Sequence, residues 1–242
     1  MTGDASEPPE HAPQVPVQPG VAASVDDPLA ARLRGFGPTG ILAFLVILAL
    51  GATEFLGPLL VLAWARRSHT PWRELGFVRP KSWIGTLALG IALGVTFKIL
   101  MKMIVMPLLG ADPINPAYHY LAGNPPALPR AALDMIVGAG FGEELVFRGF
   151  LFERLGKLLG RDGRAKSVIV LLTSAWFGLM HYPVQGLAGA EQAVLTGLVF
   201  GTIFAFTGRI WMVMFAHAAF DLTAVAIIYW NLESTVAHFV FH

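Results

Sequence analysis

The sequence predicts an all-α, polytopic membrane helix bundle, and three observations support that fold class. Hydrophobic residues make up 55% of the 242 residues and charged residues only 14%, compared with about 25% charged in an ordinary soluble domain. The mean hydropathy is +0.62. Apolar segments long enough to cross a bilayer recur along the chain, separated by polar connectors. We therefore predict about six transmembrane helices.

Charge and cysteine content exclude several classes of protein. The chain has 17 Lys and Arg against 16 Asp and Glu, giving a net charge of +1. No basic surplus therefore indicates a nucleic-acid partner. Cysteine is absent, which excludes disulfides, thiolate metal sites and a cysteine nucleophile.

Residues 1–36 differ in composition from the rest of the chain. They are rich in Pro, Ala and Val and show no apolar periodicity, which predicts a disordered tail. No basic segment is followed by an apolar one in this region, so we expect no signal peptide. Residues 26–36 carry a weak helix signal, with Asp26 or Asp27 as the N-cap. The transmembrane domain is predicted to occupy residues 37–242.

The first two predicted spans each contain charged residues. Residues 40–65 form the first span, interrupted only by Glu54, and residues 83–109 form the second. Lys98 and Lys102 lie one turn apart toward the end of the second span, so we expect their side chains to extend to the interface. A pairing of Lys98 with Glu54 between the two helices is the alternative.

Four further spans follow a proline-rich loop. Residues 110–130 contain five prolines, a density that predicts irregular structure. The fourth span is expected to end at Pro183, because proline lacks the N–H that an interior helix position needs. Spans three to six are predicted at residues 131–155, 167–182, 187–206 and 210–230.

Basic residues are distributed unevenly between the predicted loops. Eleven Lys and Arg residues follow spans one, three and five. The opposite side holds three, which are Arg32, Arg34 and Arg130. The positive-inside rule then predicts that both termini lie outside the cytoplasm.

Pairs of glycines four residues apart predict where helices approach closely, because two small residues on one face let backbones touch. Residues 138–142 also contain Gly-x-Gly-x-Gly, but no strand precedes it, so packing is a better interpretation than nucleotide binding. The pairs are Gly90 with Gly94, Gly138 with Gly142, and Gly197 with Gly201.

The third span carries three ionisable residues inside an apolar run. Such groups cost at least ~2.5 kcal/mol each in a membrane, so something must offset the cost of Glu143, Glu144 and Arg148. Glu144 and Arg148 are four residues apart with the acid first, the favourable orientation for an ion pair. Glu143 lies about 100° round the helix, which leaves it free for chemistry. A buried structural ion pair between helices is the alternative interpretation.

Two later spans carry further polar groups. Phe177 and His181 share one helix face, and His217 and Asp221 share another. Taken singly, His181 could form a hydrogen bond at a helix end, and His217 with Asp221 could form a satisfied interhelical contact. Taken together with the glutamates, they suit either a metal site or a carboxylate–imidazole pair that activates water. The zinc-binding pattern His-Glu-x-x-His is absent.

Three motifs, in this order on successive predicted membrane helices, together resemble the CPBP family. These are the CAAX-protease and bacteriocin-processing membrane peptidases, also called the ABI family, relatives of the type II CAAX prenyl endopeptidases. The resemblance covers about residues 131–230, with a weaker extension back to residue 74. The motifs are Glu143-Glu144-x-x-x-Arg148, Phe177-x-x-x-His181 and His217-x-x-x-Asp221.

The resemblance implies an intramembrane endopeptidase with a hydrophilic cavity. It implies that Glu143 and His181 activate the attacking water. It further implies that Glu144 and Arg148 orient Glu143. The third-motif pair, His217 and Asp221, would stabilise the oxyanion or help to bind a metal.

Asp221 departs from the family's pattern, in which Asn is often found. An amide can donate to an oxyanion and an ionised carboxylate cannot, so the substitution weakens the oxyanion role. It favours metal ligation or orientation of His217 instead. One divalent metal, zinc in the first instance, would then be held by Glu143, His181, His217 and Asp221. We favour a metal-free site, because Glu143 and His181 suffice as a general base and Arg148 would repel a cation.

The expected partners follow from the resemblance and the hydropathy. They are membrane lipid and a membrane-associated protein or peptide, such as a CAAX-type substrate, a leader peptide or a membrane protein. We expect a multi-pass location in the cell membrane. The alternative to an enzyme is a membrane scaffold, immunity factor or small transporter in which the buried charges only hold helices together.

Overall fold

The computed structural model describes residues 27–51, 53 and 55–241. Within these residues the chain forms eight helices and no strand, which confirms the predicted all-α membrane fold. We number the helices α1 (Pro28–Arg34), α2 (Pro38–Leu50), α3 (Leu56–Arg67), α4 (Trp83–Leu108), α5 (128–159), α6 (Gly163–Thr207), α7 (Ile210–Tyr229) and α8 (Glu233–Ala237).

Helix α1 lies within the segment predicted to be a disordered tail. It is capped by Asp27, whose carboxylate accepts hydrogen bonds from the N–H groups of Leu29 and Ala30, and Ala30 is buried. The weak helix signal was therefore correct, and the predicted tail boundary at residue 36 is too late. Residues 1–26 lie outside the described part of the chain.

The six predicted spans are not all present as single crossings. In the described residues, α4, α6 and α7 are long and apolar enough to cross a membrane. Helices α1 and α2 together would make a fourth candidate, but they meet at an angle of 57°. The predicted count of six is therefore not confirmed.

The predicted first span, residues 40–65, folds back on itself as a helical hairpin. Helices α2 and α3 are each about 20 Å long, shorter than the ~30 Å hydrocarbon core. A Cβ added at Gly57 would lie 2.7 Å from Cα of Gly51, so the two helices touch at their connection. At the other end, the indole N–H of Trp64 donates to the carbonyl of Leu33 at 3.2 Å. The hairpin therefore enters and leaves at the same end of the bundle.

That end of the bundle, which we call the basic end, collects most of the Lys and Arg residues. Arg154 of α5 donates to the carbonyls of Arg34 and Gly35 at 2.7 and 2.9 Å, and Asp27 lies 3.3 Å from His69. The basic residues of α1, predicted on the opposite side, therefore lie with those that follow α3. The hairpin is the reason for this correction.

Helix α6 contains two antiparallel arms. Its 45 residues would extend about 67 Å, more than twice the hydrocarbon core. The chain reverses at Gly186, where φ is 65° and ψ is −164°, a conformation that favours glycine. Gly197 of the second arm packs on Ser174 of the first. The arms, residues 163–185 and 187–207, match predicted spans four and five, but the first arm continues past Pro183.

Helices α4 and α7 run parallel and touch through glycine, as predicted. A Cβ at Gly94 would lie 2.1 Å from the carbonyl oxygen of Ala216. Lys98 lies one turn further along the same face and is therefore buried, with 7% exposure. The expectation that Lys98 extends to the interface is wrong, because this face is packed against a neighbouring helix. Its alternative pairing with Glu54 lies outside the described residues.

Helix α5 is the central element and carries the first motif. It extends over residues 128–159, close to the predicted third span. Its hydrogen bonding widens to the π type over Asp134–Glu143 and Leu145–Phe150, an irregularity often found at functional sites. Phe147 and Phe150 are buried on it, and Phe150 packs edge-on against Trp64 with ring centroids 4.8 Å apart.

The contact between α4 and α7 can be tested at Gly94. We expect Gly94→Ala to destabilise the fold by about 1–3 kcal/mol, because the added methyl meets backbone atoms that cannot move aside. Thermal unfolding in detergent measures this. Gly163→Ala is the control, because a Cβ there meets no described atom within 4 Å. Equal melting temperatures for the two variants would contradict the close packing.

Candidate active site

The carboxylate of Glu144 joins two helices at the centre of the site. It is fully buried, and its Oε1 accepts a hydrogen bond from Arg148 Nη1 at 2.7 Å. The same oxygen accepts a second bond from Nδ1 of His217, on α7, at 2.7 Å. The predicted ion pair between Glu144 and Arg148 is thus confirmed. His217 is a second partner of Glu144, which the sequence did not predict.

Arg148 extends this contact to the second arm of α6. Its Nη2 donates to the carbonyl of Gly197 at 3.3 Å. Its guanidinium also lies over the rings of Phe177 and Phe200, at 5.2 and 6.0 Å from their centroids. Aromatic faces attract a cation, so the charge is stabilised by oxygen atoms and by two aromatic rings.

Glu143, the next residue, has a different environment. Its side chain keeps 21% exposure and lines a cavity. Its Oε2 makes no hydrogen bond to any described residue, and His217 Nε2 lies 3.8 Å from it. Oε2 of Glu144 is likewise buried without a hydrogen-bond partner among the described residues, but the whole Glu144 side chain is buried and does not line the cavity.

His181 is fixed by the helix that carries it. Its Nδ1 donates to the carbonyl of Phe177, one turn earlier, at 2.8 Å. The ring of Phe177 packs edge-on against the imidazole with centroids 4.4 Å apart. Because Nδ1 carries the proton, Nε2 is the nitrogen that can accept one.

His217 and Asp221 face each other on α7. Nε2 of His217 lies 3.5 Å from Oδ2 of Asp221, whose side chain keeps 20% exposure. His217 is thus enclosed by three carboxylates, those of Asp221, Glu143 and Glu144. Nδ1 of His217 therefore contacts the buried Glu144, whereas its Nε2 faces the carboxylates of Glu143 and Asp221, which line the cavity.

All four residues expected to surround the reacting atoms line one cavity. They come from the three predicted spans that carry the motifs: Glu143 from span three, His181 from span four, and His217 and Asp221 from span six. The sequence did not predict the polar residues that complete the wall. They include Lys98, Asn115, Gln185, Gln192 and Thr196. The signal that was available for Lys98 is its position one helical turn after Gly94.

The four predicted metal ligands have suitable donor atoms. Both imidazoles are hydrogen-bonded through Nδ1, which leaves Nε2 available, as in most metal-binding histidines. Among the residues that the structure describes, however, no group of three or more His, Asp or Glu side chains is arranged to hold a metal ion. We therefore assign no chemical step to a metal.

This site and fold define a class of protein, the helical membrane bundle with a carboxylate and imidazole cavity. Residues 125–223 match the family model described as type II CAAX prenyl endopeptidase Rce1-like. The match confirms the predicted family resemblance. It spans about two fifths of the chain, including all three motifs, and leaves out α4. No curated protein and no solved structure matches the chain.

The two adjacent glutamates should respond differently to substitution. We expect Glu144→Gln and Arg148→Ala to lower the free energy of unfolding by ~3–5 kcal/mol, because each leaves a buried charge without its partner. Glu143→Gln should leave stability nearly unchanged, because this carboxylate makes no short ion pair. Thermal unfolding of the three purified variants measures the difference. Three equal melting temperatures would show that Glu144 and Arg148 do not support the fold.

Proposed function

We propose that the protein is an intramembrane endopeptidase that hydrolyses a peptide bond in a membrane-associated substrate, with a water molecule activated by Glu143 and His181. One observation carries the proposal. Of two adjacent glutamates, Glu144 is buried and bonded to Arg148 and His217, whereas the side chain of Glu143 is 21% exposed and lines the cavity. A purely structural charge cluster accounts for the first glutamate and not for the second.

The chemistry begins with a water molecule placed between Glu143 and His181. The Glu143 carboxylate takes a proton as the water oxygen attacks the carbonyl carbon of the scissile bond, and Nε2 of His181 accepts a hydrogen bond that orients the water. The carbonyl π electrons move to oxygen and form a tetrahedral oxyanion. When this intermediate collapses, the C–N bond breaks and the leaving amine takes the proton from Glu143.

The buried residues support this chemistry by fixing positions. Arg148 and His217 hold the neighbouring Glu144 rigidly, so the backbone that carries Glu143 has little freedom. Positioning of this kind is worth much in catalysis, because a reacting group already in place pays no further entropy cost. Asp221 faces His217 Nε2 and orients that imidazole.

The substrate is a membrane-associated protein or peptide, of CAAX type or a leader or membrane protein. The protein is a multi-pass membrane protein, with its basic end at the cytoplasm by the positive-inside rule. The N-terminal residues that the structure describes lie at that end, beside Arg154, so the proposed orientation puts them at the cytoplasmic face.

Replacement of Glu143 tests the proposal directly. Glu143→Gln should abolish cleavage of a model membrane peptide while the protein stays folded and inserted, because an amide cannot take a proton from water. Loss of general-base catalysis lowers rates by about 10²–10⁴-fold. Glu74→Gln, on the connector that contacts Lys157, is the matched control and should retain full activity. Normal cleavage by Glu143→Gln would refute the proposed role.

A chelator and a substitution at Asp221 test whether cleavage requires a divalent metal ion. For a metal-free site, we expect a chelator to leave cleavage unchanged, and Asp221→Asn to be tolerated. A bound divalent ion would instead make both treatments lower activity, with recovery on adding metal to chelated protein, because an amide is a poorer ligand than a carboxylate. Elemental analysis of the purified protein is the second measurement. One tightly bound metal per chain would contradict the metal-free mechanism.

A further inference from the structure

Lys98 is a buried cation in the wall of the active-site cavity. Its side chain is 7% exposed, and it lies on α4, outside the segment that matches the family model. Among the described residues that line the cavity, it is the one Lys or Arg. A charge inside a membrane helix is unfavourable and commonly marks a functional site.

The ammonium group of Lys98 has hydrogen-bonding capacity to spare. Nζ donates to Oε1 of Gln192, on the second arm of α6, at 3.0 Å. It also lies 4.7 Å from the centroid of the Phe220 ring. No carboxylate in the described part of the chain lies within 4.0 Å of Nζ. An ammonium has three N–H donors, so the bond to Gln192 leaves two of them for another acceptor.

Helix packing places this cation beside the third motif. Gly94 brings the backbone of α4 against Ala216 and Phe220 of α7, and one turn later Lys98 and Asp221 border the same cavity. Phe220, which the ammonium contacts, is the residue before Asp221. The contact is therefore a consequence of the glycine face and not of a flexible lysine.

The other groups of the site are poorly suited to receive negative charge. Asp221 is a carboxylate and only accepts hydrogen bonds when ionised. Nδ1 of His217 donates to Glu144, and its Nε2 faces Asp221 and Glu143. Arg148 is committed to Glu144 and Gly197. A donor for a developing oxyanion has to come from elsewhere in the wall.

We propose that Lys98 is a further catalytic residue, whose ammonium, held by Gln192, donates a hydrogen bond to the oxyanion formed on the scissile carbonyl. The inference rests on the proposed function. As the water oxygen bonds to carbon and Glu143 takes its proton, the carbonyl π electrons move to oxygen beside the Lys98 ammonium. Lys98 keeps its own proton throughout. Negative charge present only in the transition state is thereby stabilised.

Steady-state kinetics of single variants test this role. Lys98→Met should lower kcat by about 10²–10³-fold, the usual effect of losing one oxyanion donor, with KM changed less than threefold. Gln192→Glu should also lower kcat, because its carboxylate would pair with the ammonium and occupy it. Lys102→Met is the matched control, one turn along α4 and bonded to the carbonyl of Pro113, and should keep wild-type kcat.

A double-variant comparison separates donation from simple neutralisation of Asp221. If Lys98 donates to the oxyanion, Lys98→Met still lowers kcat in an Asp221→Asn background. If Lys98 only balances the charge of Asp221, its loss has no effect in that background, and the proposal is overturned.

Binding of a peptide phosphinate, whose tetrahedral anion resembles the oxyanion, gives a readout independent of turnover. Lys98→Met should weaken phosphinate binding by the same factor as kcat and leave binding of the uncleaved peptide unchanged. Equal phosphinate affinity in wild type and Lys98→Met overturns the role of Lys98. A change in KM with kcat unchanged overturns it as well. A wild-type protein that neither cleaves the peptide nor binds the phosphinate overturns the proposed function and this inference with it.

Discussion

The fold depends on one buried carboxylate, that of Glu144. A single carboxylate oxygen, Oε1, accepts hydrogen bonds from two helices, through Arg148 and His217. Removing charge from water is costly, and only close partners compensate for it. Arg148 in turn reaches a backbone carbonyl of α6 at Gly197. Helices α5, α6 and α7 therefore cannot shift relative to one another without exposing an unpaired charge to hydrocarbon.

Small residues make this polar centre geometrically possible. Gly140 of α5 lies against Ala218 of α7, where an added Cβ would be 2.7 Å from the alanine methyl. Gly94 brings α4 still closer to α7, where an added Cβ would be 2.1 Å from the carbonyl oxygen of Ala216. In a membrane, helix association relies on such packing because lipid is as apolar as the side chains. Close backbones then place short polar side chains of different helices within hydrogen-bonding distance.

The local features of the site could be predicted from sequence, and the non-local ones could not. The spacing of Glu144 and Arg148 encodes their pairing, because residues four apart share a helix face. The bond between Glu144 and His217 joins residues 73 positions apart, and no periodicity reports such a contact. The prediction that Lys98 extends to the interface was wrong for a related reason. Its position near a helix end suggested the interface, whereas the glycines before it had already marked that face as packed.

The hairpin formed by α2 and α3 has a consequence for the topology of the whole chain. A segment that returns to its own side contributes no crossing, so the residues before α2 and the residues after α3 lie at the same end of the bundle. A reporter inserted before α2 and a reporter inserted after α3 are therefore expected to sample the same face of the membrane.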